Sequence, residues 1–442
     1  MAKSKRKSLK RARSDSDILQ EAINYHQSGE IEKARYRYTK ILKTAPSNVN
    51  AANFYGMLES QHGDLALAER LLKRSVSLDP LYADALNNLG NCLKIQGKLE
   101  EAEDAYRRAH EIKPVDINPM INLGVLARIS GNLKQADHWY AKALSINAHS
   151  NIALVCLAGL QEAQGNYDAA LESYQKALKI DETYAPLFVN YGRLLTRLDR
   201  REDAADLYKK QLQHNPDDAT AQHMLFALSG EHTPDRASDN FVSTLFDRFA
   251  TSFDQVLDKL EYAAPKLVGD LVTEYYPDTI NSLNVLDAGC GTGLCGKYLR
   301  PLAQNIIGID LSGEMLRRAK LCEHYDSLVK AEIIEYLHTS RNKFDLIVSA
   351  DTFCYFGKMD EVCHAAFAVL NKSGKFIFTV EQHLQDNIDY LLQTHGRYSH
   401  SEAYIQHCLK DAGFFVLTNQ TVTLRKERGE PVKGMLVCAG VG

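Results

Sequence analysis

No apolar run in the 442 residues approaches the length of a membrane span, and the N-terminus lacks the apolar segment of a secretory signal. These absences predict a chain that stays in the cytoplasm. None of the nine cysteines forms a CxxC pair or stands with histidine at a zinc spacing, so reduced, mostly buried thiols are expected and a metal site is not. A formal net charge of −4 hides one asymmetry. Residues 1–14 carry Lys3, Lys5, Arg6, Lys7, Lys10, Arg11 and Arg13 and no acid. Such an arm can touch nucleic acid or an acidic surface, but no basic stripe continues beyond it, and a solvated, disordered terminus is the expectation.

What is present is ordinary globular composition, 45% hydrophobic and 24% charged, in a chain too long for one typical core. The first half repeats itself. Alanine recurs every 34 residues at Ala34, Ala68, Ala102, Ala136, Ala170 and Ala204. In phase with it run Gly56, Gly90, Gly124 and Gly192, with Ala158 in the remaining slot, and the turn residues Gly29, Gly63, Gly97, Gly131 and Gly165, with Asp199 in the sixth. Tyr38, Tyr106, Tyr140, Tyr174 and Tyr208 keep the same step, as do Pro46, Pro80, Pro114 and Pro216.

This pattern resembles the tetratricopeptide repeat, a pair of antiparallel helices per unit. Small residues at the Gly56 and Ala68 positions allow close helix approach, the mid-unit glycine turns the chain, and proline closes each unit. Six units from about Asp15 to Asp218 are expected to stack as an all-α solenoid over 15–229, with Ala219 to Leu228 as a capping helix. Asn88, Asn122 and Asn190, with Asn91 nearby, resemble the asparagine ladder of the O-GlcNAc transferase repeats, which grips an extended peptide. A primary amide offers both donor and acceptor, as a peptide does. The competing reading is a set of polar residues on a solvated helix face, since Phe54 and Cys156 interrupt the ladder. A protein or peptide partner in the groove is what the resemblance implies.

Ser229 to Asp235 breaks the helical rhythm and marks a boundary; residues 230–283 read as hinge and lid helices. Phe241, Phe246, Phe249 and Phe253 are spaced for one face of an amphipathic helix pair, a pattern found more often in a core than against a ligand.

After it comes Val285-Leu286-Asp287-Ala288-Gly289-Cys290-Gly291-Thr292-Gly293, then Gly296: the end of a buried strand, a tight turn and a restarting helix. The glycines also satisfy a dinucleotide fingerprint. Asp287 argues otherwise, because a carboxylate before the first glycine opposes a pyrophosphate and suits a cationic ligand. Asp310 ends the next strand about 20 residues on, where an acid meets ribose hydroxyls. With LDAGCGTG, GIDLSGEML, LVKAEI and DLIVSAD in order, residues 239–442 resemble the class I S-adenosylmethionine-dependent methyltransferases. The resemblance implies S-adenosyl-L-methionine as cofactor, with Asp287, Gly289, Cys290 and Gly291 beside its methionine part. It puts Asp310 on the ribose, Leu311 and Met315 against the adenosine, and Glu332 and Ile333 around the adenine. Phe253-Asp254 matches an aromatic-Asp pair that closes over the cofactor, and its ring can face a sulfonium.

Alternating strand-like and helix-like runs at 284–289, 305–311, 327–333, 344–350 and 374–380, then two adjacent strands at 414–425 and 433–440, predict a Rossmann-like, seven-stranded α/β domain over 284–442. Ser349-Ala350-Asp351-Thr352-Phe353 lies where acceptor-facing residues of this family often fall, and it lacks the Asn/Asp-Pro-Pro-aromatic signature. Asp351, His383 and His400 are the candidate bases; each has an equally good structural role, and no catalytic residue is assigned. With FDRFATSFDQVL and GRYSHSEAYI, the chain resembles predicted methyltransferases that carry tetratricopeptide repeats. Two other readings stay open: an inactive adaptor with the same fold, and a small-molecule methyltransferase whose repeats serve assembly.

Overall fold

In the computed structural model, residues 14–62, 64–230, 233–250, 253–385, 387–427 and 429–442 are described. The basic arm up to Arg13, Gly63 of the turn ladder, Glu231-His232 of the hinge, Thr251-Ser252 of the phenylalanine-rich segment, and Arg428 lie outside them.

The chain divides into two compact units, Met1–Leu187 and Phe188–Gly442. Among the described residues the first contains five helix pairs: α1 (Asp15–Gln27) with α2 (Ile31–Thr44), α3 (Val49–His62) with α4 (Leu65–Leu78), α5 (Ala83–Ile95) with α6 (Leu99–Ile112), α7 (Ile117–Ile129) with α8 (Leu133–Ile146), and α9 (Asn151–Ala163) with α10 (Tyr167–Ile180). This is a tetratricopeptide-repeat solenoid. The ladder alanines from Ala34 to Ala170 are wholly buried, as are the tyrosines at 38, 106, 140 and 174. A methyl group on Gly90 would meet the Tyr106 ring at 2.5 Å, and one on Gly56 would meet Leu72 at 2.6 Å. The glycine rung is therefore the seat of the neighbouring helix's large side chain. Between the helices of a pair, Gly29, Gly97, Gly131 and Gly165 take φ of 75 to 79°, a left-handed turn that costs glycine little.

The second unit begins inside α11 (Ala185–Arg197) and continues with α12 (Arg201–His214) and α13 (Ala219–Ser229). Asp199 fills the glycine turn at φ 56°. The sequence boundary at 229–235 thus differs from the compact division, for a local reason. His223 of α13 stacks on Phe241 at 4.0 Å between ring centres and donates from Nε2 to the Gly396 carbonyl at 2.8 Å. Sixth repeat and cap therefore pack with the second half of the chain, which continues through α14 (Asp239–Phe249), α15 (Phe253–Lys259) and α16 (Ala264–Tyr275).

The α/β fold alternates β1 (Leu283–Ala288), α17 (Gly296–Leu299), β2 (Ala303–Asp310), α18 (Gly313–Leu321), β3 (Ser327–Lys330), α19 (Ile333–Thr339), β4 (Phe344–Ser349), α20 (Asp360–Val369) and β5 (Leu370–Gln382). It ends with β6 (Tyr390–Leu392), β7 (Tyr398–His400), α21 (Glu402–Asp411), β8 (Phe415–Glu427) and β9 (Glu430–Gly440). The expected seven strands are present, parallel in the order β3-β2-β1-β4-β5, with β9 antiparallel to β5 and β8 antiparallel to β9. The short pair β6-β7 was not expected and makes the sheet nine-stranded among the described residues; β7 pairs with the end of β5 at Glu381 and Gln382.

Both faces of the sheet are buried, as a parallel sheet requires. Val285, Leu346, Val348 and Ile377 point to one core with Val268 and Val272 of α16. Their neighbours Leu286, Ile347, Phe376 and Phe378 point to the other, with Leu337 of α19, Val362 of α20 and Ile405 of α21. Strand β3 stops at Lys330 rather than 333 because Glu332 caps α19, its Oε2 accepting from the Glu335 N–H at 2.8 Å.

Candidate functional site

The carboxyl ends of β1, β2, β3 and β4 open on a cavity of about 470 Å³ closed on another side by α14 and α15. Seven of the nine residues expected at the cofactor line it: Gly289, Gly291, Asp310, Leu311, Met315, Glu332 and Ile333. Gly289 and Gly291 take φ of 78 and 55°. A side chain on Gly289 would collide with Thr352, whereas at Gly291 the nearest atom to an added methyl is on Phe253, 3.9 Å away. The second glycine leaves room beside the loop and the first lets the loop pass close to Thr352 in the turn after β4.

Asp310 is fixed by the backbone it serves. Its Oδ2 accepts from the Gly291 N–H at 3.0 Å and its Oδ1 from the Ser312 N–H at 2.8 Å. Each oxygen keeps a lone pair for a further donor. Burial raises its carboxyl above the ordinary range, and the two backbone bonds oppose that. Glu332 is nearly buried, and its Oε1 has no hydrogen-bond partner in the described structure. An orphaned acceptor on a cavity wall suits an amino group such as that of adenine.

Asp287 and Cys290 do not line the cavity. Asp287 is 1% exposed and turned inward, its Oδ2 accepting from the Tyr325 hydroxyl at 2.7 Å. The expectation that its charge faces a ligand is not met. Burial pushes its carboxyl up to about 7, the tyrosine bond opposing and Asp310 adding. Cys290 is also buried, and a methyl on Gly308 of β2 would stand 3.0 Å from its sulfur, so its small size is used in packing.

The phenylalanine stripe divides. Phe246, Phe249 and Phe253 line the cavity, while Phe241 is buried against His223. Two acids beside that stripe tie α14 and α15 to the loops after β1 and β2. Asp254 accepts from Thr292 Oγ1 at 2.6 Å, and Asp247 accepts from Ser312 Oγ at 2.6 Å and from the Glu314 N–H at 3.2 Å. The part played by Asp247 was not foreseen, although Phe246-Asp247 repeats Phe253-Asp254 seven residues earlier.

At the far end of the cavity, sequence reasoning missed a largely buried charge cluster assembled from two strands, β5 and β8, and the segments after β4 and before β7. Arg425 of β8 donates to Asp351 Oδ2 at 2.6 Å, to Glu427 Oε1 at 2.8 Å and to Glu381 Oε1. Arg397 donates to Glu381 Oε1 and Glu427 Oε1, each at 2.6 Å. Asp351, Cys354 and Glu381 are also close enough to one another to share a metal ion, but Arg425 already reaches both carboxylates. Of the candidate bases, Asp351 lines the cavity; His383 and His400 do not. His400 is wholly buried, donates from Nε2 to the Gly357 carbonyl at 3.1 Å, and is lowered to about 4 by burial.

In the repeat unit a second cavity, of about 600 Å³, is lined by Asn53, Asn87 and Asn88 among others. Asn88 donates to Asn53 at 3.0 Å and Asn122 to Asn87 at 2.9 Å, so the ladder runs over two adjacent helix positions. Asn91 instead accepts from the buried Tyr106 hydroxyl at 2.8 Å. Asn190 belongs to the second unit.

Comparison with known proteins gives a methyltransferase-domain profile over residues 286–378 and tetratricopeptide-repeat profiles over 83–115, 121–185 and 161–228. Methyltransferase-like protein 27 of Homo sapiens is 38% identical over 84 residues, 19% of this chain and 34% of that protein. A malonyl-[acyl-carrier protein] O-methyltransferase of Priestia megaterium is 30% identical over 141 residues, 30% of this chain and 48% of that protein. The chain spans less than half the length of these two relatives. TTC0263, a thermophilic repeat protein of Thermus thermophilus, aligns at 21% identity with a TM-score of 0.39, over 41% of this chain and all of that one. The chain carries tetratricopeptide repeats and, after them, a methyltransferase domain.

Proposed function

We propose that the protein is an S-adenosylmethionine-dependent methyltransferase whose repeats recruit a protein that is its acceptor or delivers it. The observation that carries the reading is the cavity wall made of Gly289, Gly291, Asp310, Leu311, Met315, Glu332 and Ile333. Asp310 holds the ribose hydroxyls with its remaining lone pairs, Glu332 takes the adenine amino group, and the Gly291 turn leaves space for the methionine part. Phe246, Phe249 and Phe253 exclude water and set an aromatic surface toward positive charge. When bound, the cofactor supplies a methyl group on a positively charged sulfur. The chain's remaining task is to place a nucleophile in line with it, and positioning supplies most of such a rate.

Support for recruitment comes from the asparagine-lined cavity of the first unit, whose amides match peptide groups in hydrogen-bonding capacity. Titration calorimetry on the full chain tests the cofactor: heat with S-adenosylmethionine and none with nicotinamide or flavin dinucleotides is expected, and the reverse would overturn the assignment. Radiolabelled methyl transfer into fractionated lysate tests the acceptor. Label in protein bands that fades when Asn87 and Asn88 are changed to alanine supports recruitment. Label confined to small molecules would favour repeats that serve assembly.

A further inference from the structure

The asparagine ladder of the first unit is interrupted at Cys156, and two cations converge on that interruption. Lys94 stands seven residues after Asn87 on α5, and Arg128 seven after Ile121 on α7, so each leaves the face of its helix that carries the ladder, about two turns further along. They are 34 residues apart, in equivalent positions of neighbouring helices that the Asn122-to-Asn87 bond joins at 2.9 Å. Burial raises the Cys156 thiol on α9, and the charges of Arg128 and Lys94 both oppose that, so both reach its surroundings. Gly159, about one turn on, leaves open space: nothing lies within 4 Å of a methyl built there.

Among the described residues neither cation is paired with a carboxylate. Lys94 is half-buried, and burial pulls its ammonium below the ordinary lysine range. Its Nζ has no hydrogen-bond partner among the described residues and still is not sealed from solvent. Arg128 is exposed. The acids of this groove are engaged elsewhere. Asp84 and Asp116 each stand 3.8 Å from Lys113, and Glu162, 34 residues after Arg128, is 8% exposed and accepts from the Tyr174 hydroxyl at 2.7 Å. A partly desolvated ammonium without a counter-ion is costly, and an anion entering beside it removes that cost.

We infer that the groove of the first unit binds an extended acidic peptide segment, one carboxylate of which lies against Lys94 and Arg128 while the Asn53–Asn88 and Asn87–Asn122 amides meet its backbone. The inference rests on the recruitment reading above and gives the recruited protein a chemistry. Where an asparagine would answer a peptide amide, the smaller Cys156 leaves the place to an anion, which accounts for the break in the ladder there. Arg128 offers a planar fork to the carboxylate and Lys94 a point charge.

The test titrates three eight-residue peptides with blocked ends, of alternating Glu-Ala, Gln-Ala and Lys-Ala, into the full chain by calorimetry. The Glu-Ala peptide should bind at least about ten-fold more tightly than the Gln-Ala peptide, the scale of one hydrogen bond to a charged group, and the Lys-Ala peptide should bind most weakly. Lys94→Gln combined with Arg128→Gln should remove the preference for glutamate while heat with S-adenosylmethionine is retained. Gly159→Glu, which sets a resident carboxylate in the open space beside the two cations, should remove it as well and serves if the double variant does not fold. Both variants keep the basic arm, so a preference that came from the arm would persist in them and overturn the inference. Equal binding of the three peptides, no binding of the Glu-Ala peptide, or tighter binding of an oligothymidylate that the double variant loses would overturn it too, the last by giving the cations to nucleic acid. Absence of heat with S-adenosylmethionine would instead remove the methyltransferase reading, and methyl label confined to small molecules would remove recruitment, so the failures are distinguished.

Discussion

Thr292 Oγ1 donates to Asp254 Oδ1 across 2.6 Å, joining the loop after β1 to the first turn of α15. The glycine loop and the helix that closes over it are thus held by one charge-assisted bond, and Asp247 makes the equivalent tie from α14 to the N-terminus of α18. Asp254→Ala should weaken S-adenosylmethionine binding by about ten-fold, the worth of a hydrogen bond to a carboxylate. Calorimetry on wild type and variant checks this; equal affinities would mean that α15 adds nothing to the pocket's closure.

Asp310→Ala is expected to be more severe, because it removes the carboxylate proposed to hold the ribose and also frees the Gly291 and Ser312 N–H groups. Cofactor heat should vanish at concentrations that saturate the wild type. Unfolding free energy should fall by about 1–3 kcal/mol as buried donors lose their partner. A variant that keeps wild-type affinity would strip Asp310 of the ribose role.

Asp287 sets a pH dependence whose sign follows from its burial. Its carboxyl is raised from 3.8 to about 7, so the folded protein holds a proton there that the unfolded chain releases. Its contribution to stability is complete below about pH 4 and is lost as pH rises through about 7. His400, lowered from 6.5 to about 4, acts in the opposite sense, its contribution being present above 6.5 and lost as pH falls through 4. Asp287→Asn should therefore raise the melting temperature at pH 8 and change it little at pH 4, isolating the carboxyl from the histidine. Equal shifts at both pH values would contradict a neutral, buried Asp287.

In the solenoid, Gly124→Ala should destabilise by about 1–3 kcal/mol, since its methyl would strike the Tyr140 ring. Gly159→Ala in α9 is the control. Nothing lies within 4 Å of the added methyl, and alanine is the better helix former, so stability should hold or rise by up to about 1 kcal/mol. Denaturant melts of both variants decide whether the glycine rung is a seat for tyrosine or only a preference for a small residue.

Periodicity made the repeats legible almost to the residue. A 34-residue step in alanine, glycine and tyrosine leaves one way to pair helices, and Asp199 stands in the glycine turn at φ 56° as its place in the ladder requires. The meeting of Gly289, Gly291 and Asp310 on one cavity wall was equally open to reading, because they sit at strand ends whose positions the apolar runs mark. Asp287 was misjudged for a definite reason. Strand alternation says which residues leave the sheet on one side, but not that Tyr325 waits there to bond the carboxylate. In the asparagine ladder, Asn53 and Asn87 escaped notice because the partners are one helix position out of phase with Asn88 and Asn122.

What the sequence determined by itself is local and periodic: the helix pairs, the strand succession and the glycine turn, all fixed by interactions within a few residues or by a repeat that states its own neighbours. Only the tertiary structure decided the charged end of the cavity. Asp351, Glu381, Arg397 and Arg425 lie up to 74 positions apart along the chain and meet through the pairing of β5 with β7 and β9 and of β8 with β9. Charges on separate strands acquire mutual energies only when the sheet brings them into one buried volume, and no spacing along the chain records that distance.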